Sequence, residues 1–332
     1  MFRRASLILR SSEKITLEPD QRKARLSPLK YGSLKGRIAY FAMASLNAKD
    51  ILLMGQATVD RFRVLMEQHP EAIPSIFWPY QCKDWGASER VEYLHSHFTT
   101  LLELPYRVDC QATQERILAE ADDVYPGLRI VIDKNGLFMR EGMLTLNTYV
   151  GHERIFTLAF SLHKNASDQI CALVGAIQGR RMPNIETLYR DMTRKTHGIR
   201  PRDLMVEVFQ IFCHRVGIDR IYAIADSHRQ HKHYFYCLKK KHSHLYLNYD
   251  EVWSDRGGIR SSAAFFELPA QPVTRNLNEV ISKKRSMYRN RYAMLDRLSE
   301  EIGTGLEAVA GRFPEDDCLP VRQQSKQTMG LT

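Results

Sequence analysis

Polar and apolar positions recur along this chain with two different periods, and the changeover falls near residue 127. Before it the spacing is helical. Between residues 34 and 69 the pattern is helical, with apolar Ile38, Phe41, Leu46, Ile51, Leu52, Val59, Phe62 and Leu65, until Pro70, Pro74 and Pro79 interrupt it. The segment SERVEYLHSHFTTLLEL puts Val91, Leu94, Phe98, Leu101 and Leu102 on one helical face, with Ser88 where an N-cap belongs. His95 and His97, two residues apart, cannot share that face and so are not a ligand pair. Residues 113–124 predict a third helix, with Ile117, Leu118, Ala121 and Val124 inward and Pro126-Gly127 as its stop. After residue 127 the period becomes two. RIFTLAFSLH sets Phe156, Leu158, Phe160 and Leu162 against Thr157, Ala159 and Ser161. MLTLNTYV before it and ICALVGAIQG after it make a three-stranded antiparallel meander.

Beyond Gln178-Gly179 the helical spacing returns. Pro201 suits a first turn, Leu204, Val208, Ile211, Phe212 and Val216 line one face, and Gly217 ends it. The strand RIYAIAD follows, AAFFELP predicts a last short strand, and residues 272–303 predict a basic helix. A meander, a helix and a further strand imply an α+β fold, mostly antiparallel, with helices packed on the sheet. The expected organisation is a basic arm over residues 1–34, a helical part over 35–126, an α+β core over 127–303 and a disordered tail over 304–332.

Composition narrows the class without naming a reaction. Of 332 residues, 44% are hydrophobic, enough for a sizeable core, and no apolar run approaches the roughly 18 residues of a membrane span. The start MFRRASLILRSSEK has too short an apolar piece for a signal peptide, so a cytoplasmic location, peripheral to the inner membrane at most, is expected. The six cysteines show no paired spacing, which predicts reduced thiols and no thiolate metal site. The net charge of +10 is concentrated at two places, residues 1–37 and 275–297. Such basic ends suit an anionic cofactor, an anionic membrane surface or a protein partner. Nucleic acid is disfavoured, because neither a zinc finger nor a stacking-aromatic motif is present.

Three stretches carry candidate chemistry. The run RKTHGIRPRD, with Arg194, Lys195, Gly198, Arg200 and Arg202, lies at a helix start, where free N–H groups and cationic side chains favour an anion. Its order of sheet, basic glycine turn, amphipathic helix and strand is similar to that of GNAT-type acyltransferases. That resemblance implies a GNAT-like core and an acyl-CoA pyrophosphate held by Gln178, Gly179, Arg194, Gly198, Arg200 and Arg202. One glycine stands where that family usually has two; the alternative is a well-capped helix. The second stretch is a histidine cluster: seven of the 12 histidines fall between His197 and His244. Imidazoles ligate metals or act as bases. The interleaved Lys232, Lys239, Lys240 and Lys241 and the lack of a metal-binding spacing favour a polar hairpin, and no metal is expected. The third is NYDEVWSDRGG, a polar-aromatic turn in which Tyr249 or Asp250 could move a proton. Asp226, His228, Tyr249 and Asp250 are together the candidate catalytic residues.

The order REGMLTL at residues 140–146, Ile177-Gln178-Gly179, Arg200-Pro201, Ala225-Asp226-Ser227-His228 and then NYDEVWSDRGG resembles the VirK/YbjX family of bacterial proteins over roughly residues 35–300. The resemblance implies a cytoplasmic protein of Gram-negative bacteria tied to virulence, envelope remodelling and resistance to cationic antimicrobial peptides. It supplies no catalytic residues. An acyltransferase and a non-enzymatic adaptor both remain open on the sequence alone.

Overall fold

The computed structural model describes residues 45, 47–109, 115–234 and 247–310. The expected arm and most of the tail, together with His242 and His244, lie outside these. Eight α-helices are found among the described residues. Four precede the sheet: α1 (Ala48–Leu52), α2 (Gln56–Gln68), α3 (Ile73–Phe77) and α4 (Ala87–Glu103). Gly55 separates the first two, so the helical spacing read between residues 34 and 69 belongs to more than one element. The cap of α4 also differs from expectation. Gly86 takes the N-cap position, its N–H donating to Glu89 Oε2 at 2.9 Å, while Ser88 is already helical and is held by Asp50.

The sheet has eight strands: β1 (Glu115–Glu120), β2 (Leu128–Asp133), β3 (Leu144–Val150), β4 (Glu153–Lys164), β5 (Ile170–Gly179), β6 (Arg220–Ile224), β7 (Ile259–Arg260) and β8 (Phe265–Leu268). Their spatial order is β1-β2-β3-β4-β5-β6-β8-β7, antiparallel throughout except for the parallel pair β5/β6. The fold is therefore α+β, and the meander β3–β5 is as the alternation predicts. Of the helix expected over residues 113–124, the described residues 115–124 are not helical. They supply β1, paired with β2, and a turn in which Val124 and Tyr125 donate to Ala121 O. A bulge between Ile117 and Ala119 buries Leu118 and Ala119 in succession and, with the turn, counterfeits a helical spacing.

Between β5 and β6 lie α5 (Ile185–Lys195) and α6 (Pro201–Arg215), the latter with Pro201 in its first turn. After β6 come α7 (Tyr249–Asp255), the β7–β8 hairpin and α8 (Ser282–Ala310). The last helix starts ten residues later than the sequence predicts, because Arg285 ties the preceding loop to Val280 O and Asn278 O. It also runs further, crossing β1 where Gly305 meets the Leu118 backbone too closely for any side chain.

Apolar faces explain the layering. Phe160 of β4 is fully buried against Phe209 and Phe212 of α6, with ring centroids 4.9 and 5.8 Å away. Burial of such a ring contributes about 1.5–3 kcal/mol. On β4 the pairing with β3 ends at Phe160, and α4 takes over the exposed edge: Leu162 N donates to His97 Nδ1 at 3.1 Å and Lys164 N to Ser96 Oγ at 3.2 Å. Burial pushes the His97 imidazole down to about 3, so it stays neutral and serves as a backbone acceptor.

Candidate functional site

The parallel pair is the place where the sheet opens. β5 and β6 stay in register from Cys171↔Arg220 to Val174↔Ala223, and no pair follows. Just beyond, β5 carries an extra residue opposite β4, at Gly175. The turn Arg140-Glu141-Gly142 is wedged here. A Cβ on Gly175 would sit 1.9 Å from Glu141 O, and one on Gly142 would sit 2.3 Å from Phe160 N. Only residues without a side chain admit this approach.

The gap is closed by α7. Asn248 caps this helix by accepting from Asp250 N, which turns Tyr249 inward. Tyr249 is fully buried, and its hydroxyl donates to Ile177 O and accepts from Ile177 N, each at 3.0 Å. Trp253 Nε1 donates to Ile224 O of β6 at 2.8 Å. One helix thus satisfies backbone groups of both diverging strands. The Arg229 guanidinium lies over the Tyr249 ring at 3.6 Å. Burial pushes the phenol up to about 12, which suits a structural plug.

The two aspartates are held by cations. Asp226 accepts from Arg229 Nη1 at 3.2 Å and from Lys232; its partial burial alone would raise the carboxyl, but these bonds outweigh it and hold it below the usual range. Asp250 accepts from Asp226 N at 2.7 Å through one oxygen and pairs with Arg260 Nη1 at 3.0 Å through the other. Both tether the turn after β6. His228 is half-buried, as both aspartates are, with its Nδ1 2.8 Å from Ser227 Oγ and its Nε2 3.4 Å from Asp84 Oδ2.

Glu141 is the ionisable group here that the sequence reading did not single out as a site residue. Burial pushes its carboxyl up to about 7, offset in part by Gln230 Nε2 donating to Oε1 at 2.8 Å and by the charges of Arg140 and Arg229. Its Oε2, like Gln81 Oε1 and Gln230 Oε1, is buried without a partner. The available signal was the REG motif itself, in which a charged residue sits beside a glycine within an otherwise apolar approach to a strand.

The residues that the sequence offers for binding an anion fall into two groups. Arg194 and Gly198 line a cleft of about 590 Å³ with Arg190, Thr193, His197 and, from α8, Ser286, Met287 and Asn290. The turn that shapes it has His197 and Gly198 at φ +52° and +82°. Arg291 of α8 fastens it by donating to His197 O from Nε at 3.2 Å and Nη2 at 2.8 Å. Arg202 is not part of this cleft. It is half-buried between Asp203, 2.8 Å away, and Asp255 of α7, 3.1 Å away, so its charge is already met. Arg200 is exposed at the N-cap of α6, and Gln178 and Gly179 end β5 beside Tyr189 and Phe156. Arg202 and Tyr249 are nonetheless connected, since Asp255 and Tyr249 stand at the two ends of α7. Among the described residues no group of three His, Cys, Asp or Glu could hold a metal ion. No helix of the described residues is long and apolar enough to cross a membrane.

A family model described as "Protein of unknown function (DUF535)" matches residues 30–304. An uncharacterised protein of Haemophilus influenzae is 28% identical over 264 residues, covering 75% of this chain and 84% of that protein. The uncharacterised protein YbjX of Escherichia coli K12 is 25% identical over 256 residues, covering 73% and 74%. No solved structure matches.

Proposed function

The chain belongs to the DUF535 family, that of the VirK and YbjX proteins, and on that premise we propose that it is an acyltransferase of GNAT-like layout. The donor is an acyl-CoA whose phosphates lie in the cleft between the His197-Gly198 turn and α8, and the acceptor is an amine or hydroxyl of an envelope component. The observation that carries this reading is the pairing of a 590 Å³ cleft with two weakly engaged arginines. Arg190 and Arg194 are each more than three-quarters exposed, and their nearest acids, Glu186 and Asp191, stand 3.8 and 3.6 Å away. Surface pairs at such distances contribute about 0–1 kcal/mol, so a phosphate displaces them at little cost. The gap between β5 and β6 is filled by Tyr249, which argues for a ligand lying outside the sheet. The turn after β6, with His228, faces the same carboxyl end of the strands, where open sheets with parallel strands bind ligands.

The test is a thermal-shift titration of the full chain with acetyl-CoA and a long-chain acyl-CoA. At about 100 times its dissociation constant a ligand should add roughly 2.7 kcal/mol. Arg190→Ala with Arg194→Ala should remove the shift, and Arg200→Ala, outside the cleft, should keep it. A shift that persists in the double variant would place the ligand elsewhere.

A second reading rests on the first turns of α8, where Lys283, Lys284 and Arg285 are all exposed. This basic end suits docking on anionic lipid by a non-enzymatic adaptor. It predicts binding to anionic vesicles, steeply weakened by salt, with no response to acyl-CoA.

A further inference from the structure

The turn after β6 brings a hydroxyl, an imidazole and a carboxylate into line. Ser227 Oγ lies 2.8 Å from His228 Nδ1, and His228 Nε2 lies 3.4 Å from Asp84 Oδ2. The carboxylate comes from a distant part of the chain, the loop before α4. That loop is fastened to the turn by an antiparallel bridge between Cys82 and Arg229, in which Lys83 N donates to His228 O at 2.9 Å. The turn has its own supports in His228 N to Ala225 O at 3.0 Å and Asp226 N to Asp250 Oδ1 at 2.7 Å. Ser227 is exposed, whereas Arg229 beside it is buried over Tyr249. The reactive atom therefore faces solvent on a backbone that is pinned from beneath, at the carboxyl end of a parallel strand.

We infer that Ser227 is a nucleophile that accepts an acyl group from an ester or thioester, with His228 as its base and Asp84 as the positioning residue. With the proton on Nε2 and directed at Asp84, Nδ1 is free to take the hydroxyl proton. Ser227 Oγ then bonds to the acyl carbon as the carbon–sulfur or carbon–oxygen bond of the donor breaks, and the leaving thiolate or alkoxide takes the proton from His228. An acceptor amine or hydroxyl next attacks the acyl-serine, giving its proton to His228, which returns it to Ser227 Oγ. Atoms and electrons balance without an oxidant, reductant or metal. The inference adds a covalent step to the acyltransferase reading, on which its biological donor rests, but it does not depend on the basic cleft.

The experiment treats the intact full chain with an alkyl fluorophosphonate and with p-nitrophenyl acetate, and maps the adducts by peptide mass spectrometry. The expected result is phosphonylation and acetylation of Ser227 in the folded chain and not after heat denaturation. Ser227→Ala should abolish both adducts, and His228→Gln should slow labelling about 100-fold. Asp84→Asn should slow it by about tenfold, with Asp84→Glu restoring most of the rate. These three side chains are at or near the surface, and matching circular dichroism of each variant confirms that it folds. No adduct on Ser227 in the native chain, or His228→Gln labelled as fast as the native chain, overturns the inference. Labelling that survives in the Arg190→Ala/Arg194→Ala variant, with acyl-CoA binding lost, separates this result from the fate of the cleft. If acyl-CoA never binds but Ser227 is acylated, the cleft reading falls and the nucleophile stands.

Discussion

Burial pushes the Glu141 carboxyl up to about 7 from the ordinary 4.5, against the hydrogen bond from Gln230 and the charges of Arg140 and Arg229. A group whose folded pKa is raised holds a proton in the native state that the unfolded chain has released. Stability from this residue is therefore full below about pH 4.5 and declines as pH rises to about 7. The shift sets an upper bound of roughly 3 kcal/mol. Glu141→Gln keeps the shape and an acceptor for Gln230, so urea unfolding from pH 4.5 to 8 should show a flatter stability profile than the native chain. Equal slopes in the two proteins would mean that Glu141 is not buried as described. His97 and His163, which burial pushes down to about 3 and 4, act with the opposite sign below pH 6.5 and cancel in this comparison. At this scale the sequence grouped residues that lie close together but not the partners of each. Asp226, Tyr249 and Asp250 do meet at one turn. Their mutual engagement, and the capture of Arg202 by Asp255, arise from contacts across more than twenty residues that no local pattern encodes.

Among the elements, α7 has the largest consequence for its length. Seven residues bridge two strands that have parted, with Tyr249 bound to β5 and Trp253 to β6. Tyr249→Phe would leave the N–H and C=O of Ile177 buried without their partner. The expected cost is about 2 kcal/mol, read as a lower urea midpoint with an unchanged m-value. A loss below about 0.5 kcal/mol would show that the bridge is not needed to hold the strands. β3 to β5, α4 and α6 were legible because large apolar residues recur at the period of each element, even though β4, β5 and α6 are buried on both faces. β1 was not. A bulge and a following turn imitate a helical spacing there, and its strand state comes from pairing with β2 and cover from α8. β2 itself went unread, although Leu128, Ile130 and Ile132 alternate with Arg129, Val131 and Asp133 in LRIVID. Ser88 failed as a cap for a related reason: Asp50, remote in sequence, claims its N–H and hydroxyl.

For the whole molecule, the α+β layout followed from the order of helical and alternating segments, and a single buried cluster joins Leu94 of α4, Phe160 of β4, Phe209 of α6, Trp253 of α7 and Leu298 of α8. The one parallel pair ends at Val174↔Ala223, and α5, the turn before α6 and the first half of α8 leave a basic cleft. Several other cations of the described residues have an acid or a carbonyl within about 3 Å, as Arg220, Arg256, Arg297 and Arg285 do. The most direct measurement is amide hydrogen exchange of the full chain with and without saturating acyl-CoA. A ligand held in the cleft should slow exchange over residues 190–198 and 283–291 and leave the unligated helix α2 unchanged. Unaltered exchange in both cleft segments, with protection elsewhere or nowhere, would contradict the account.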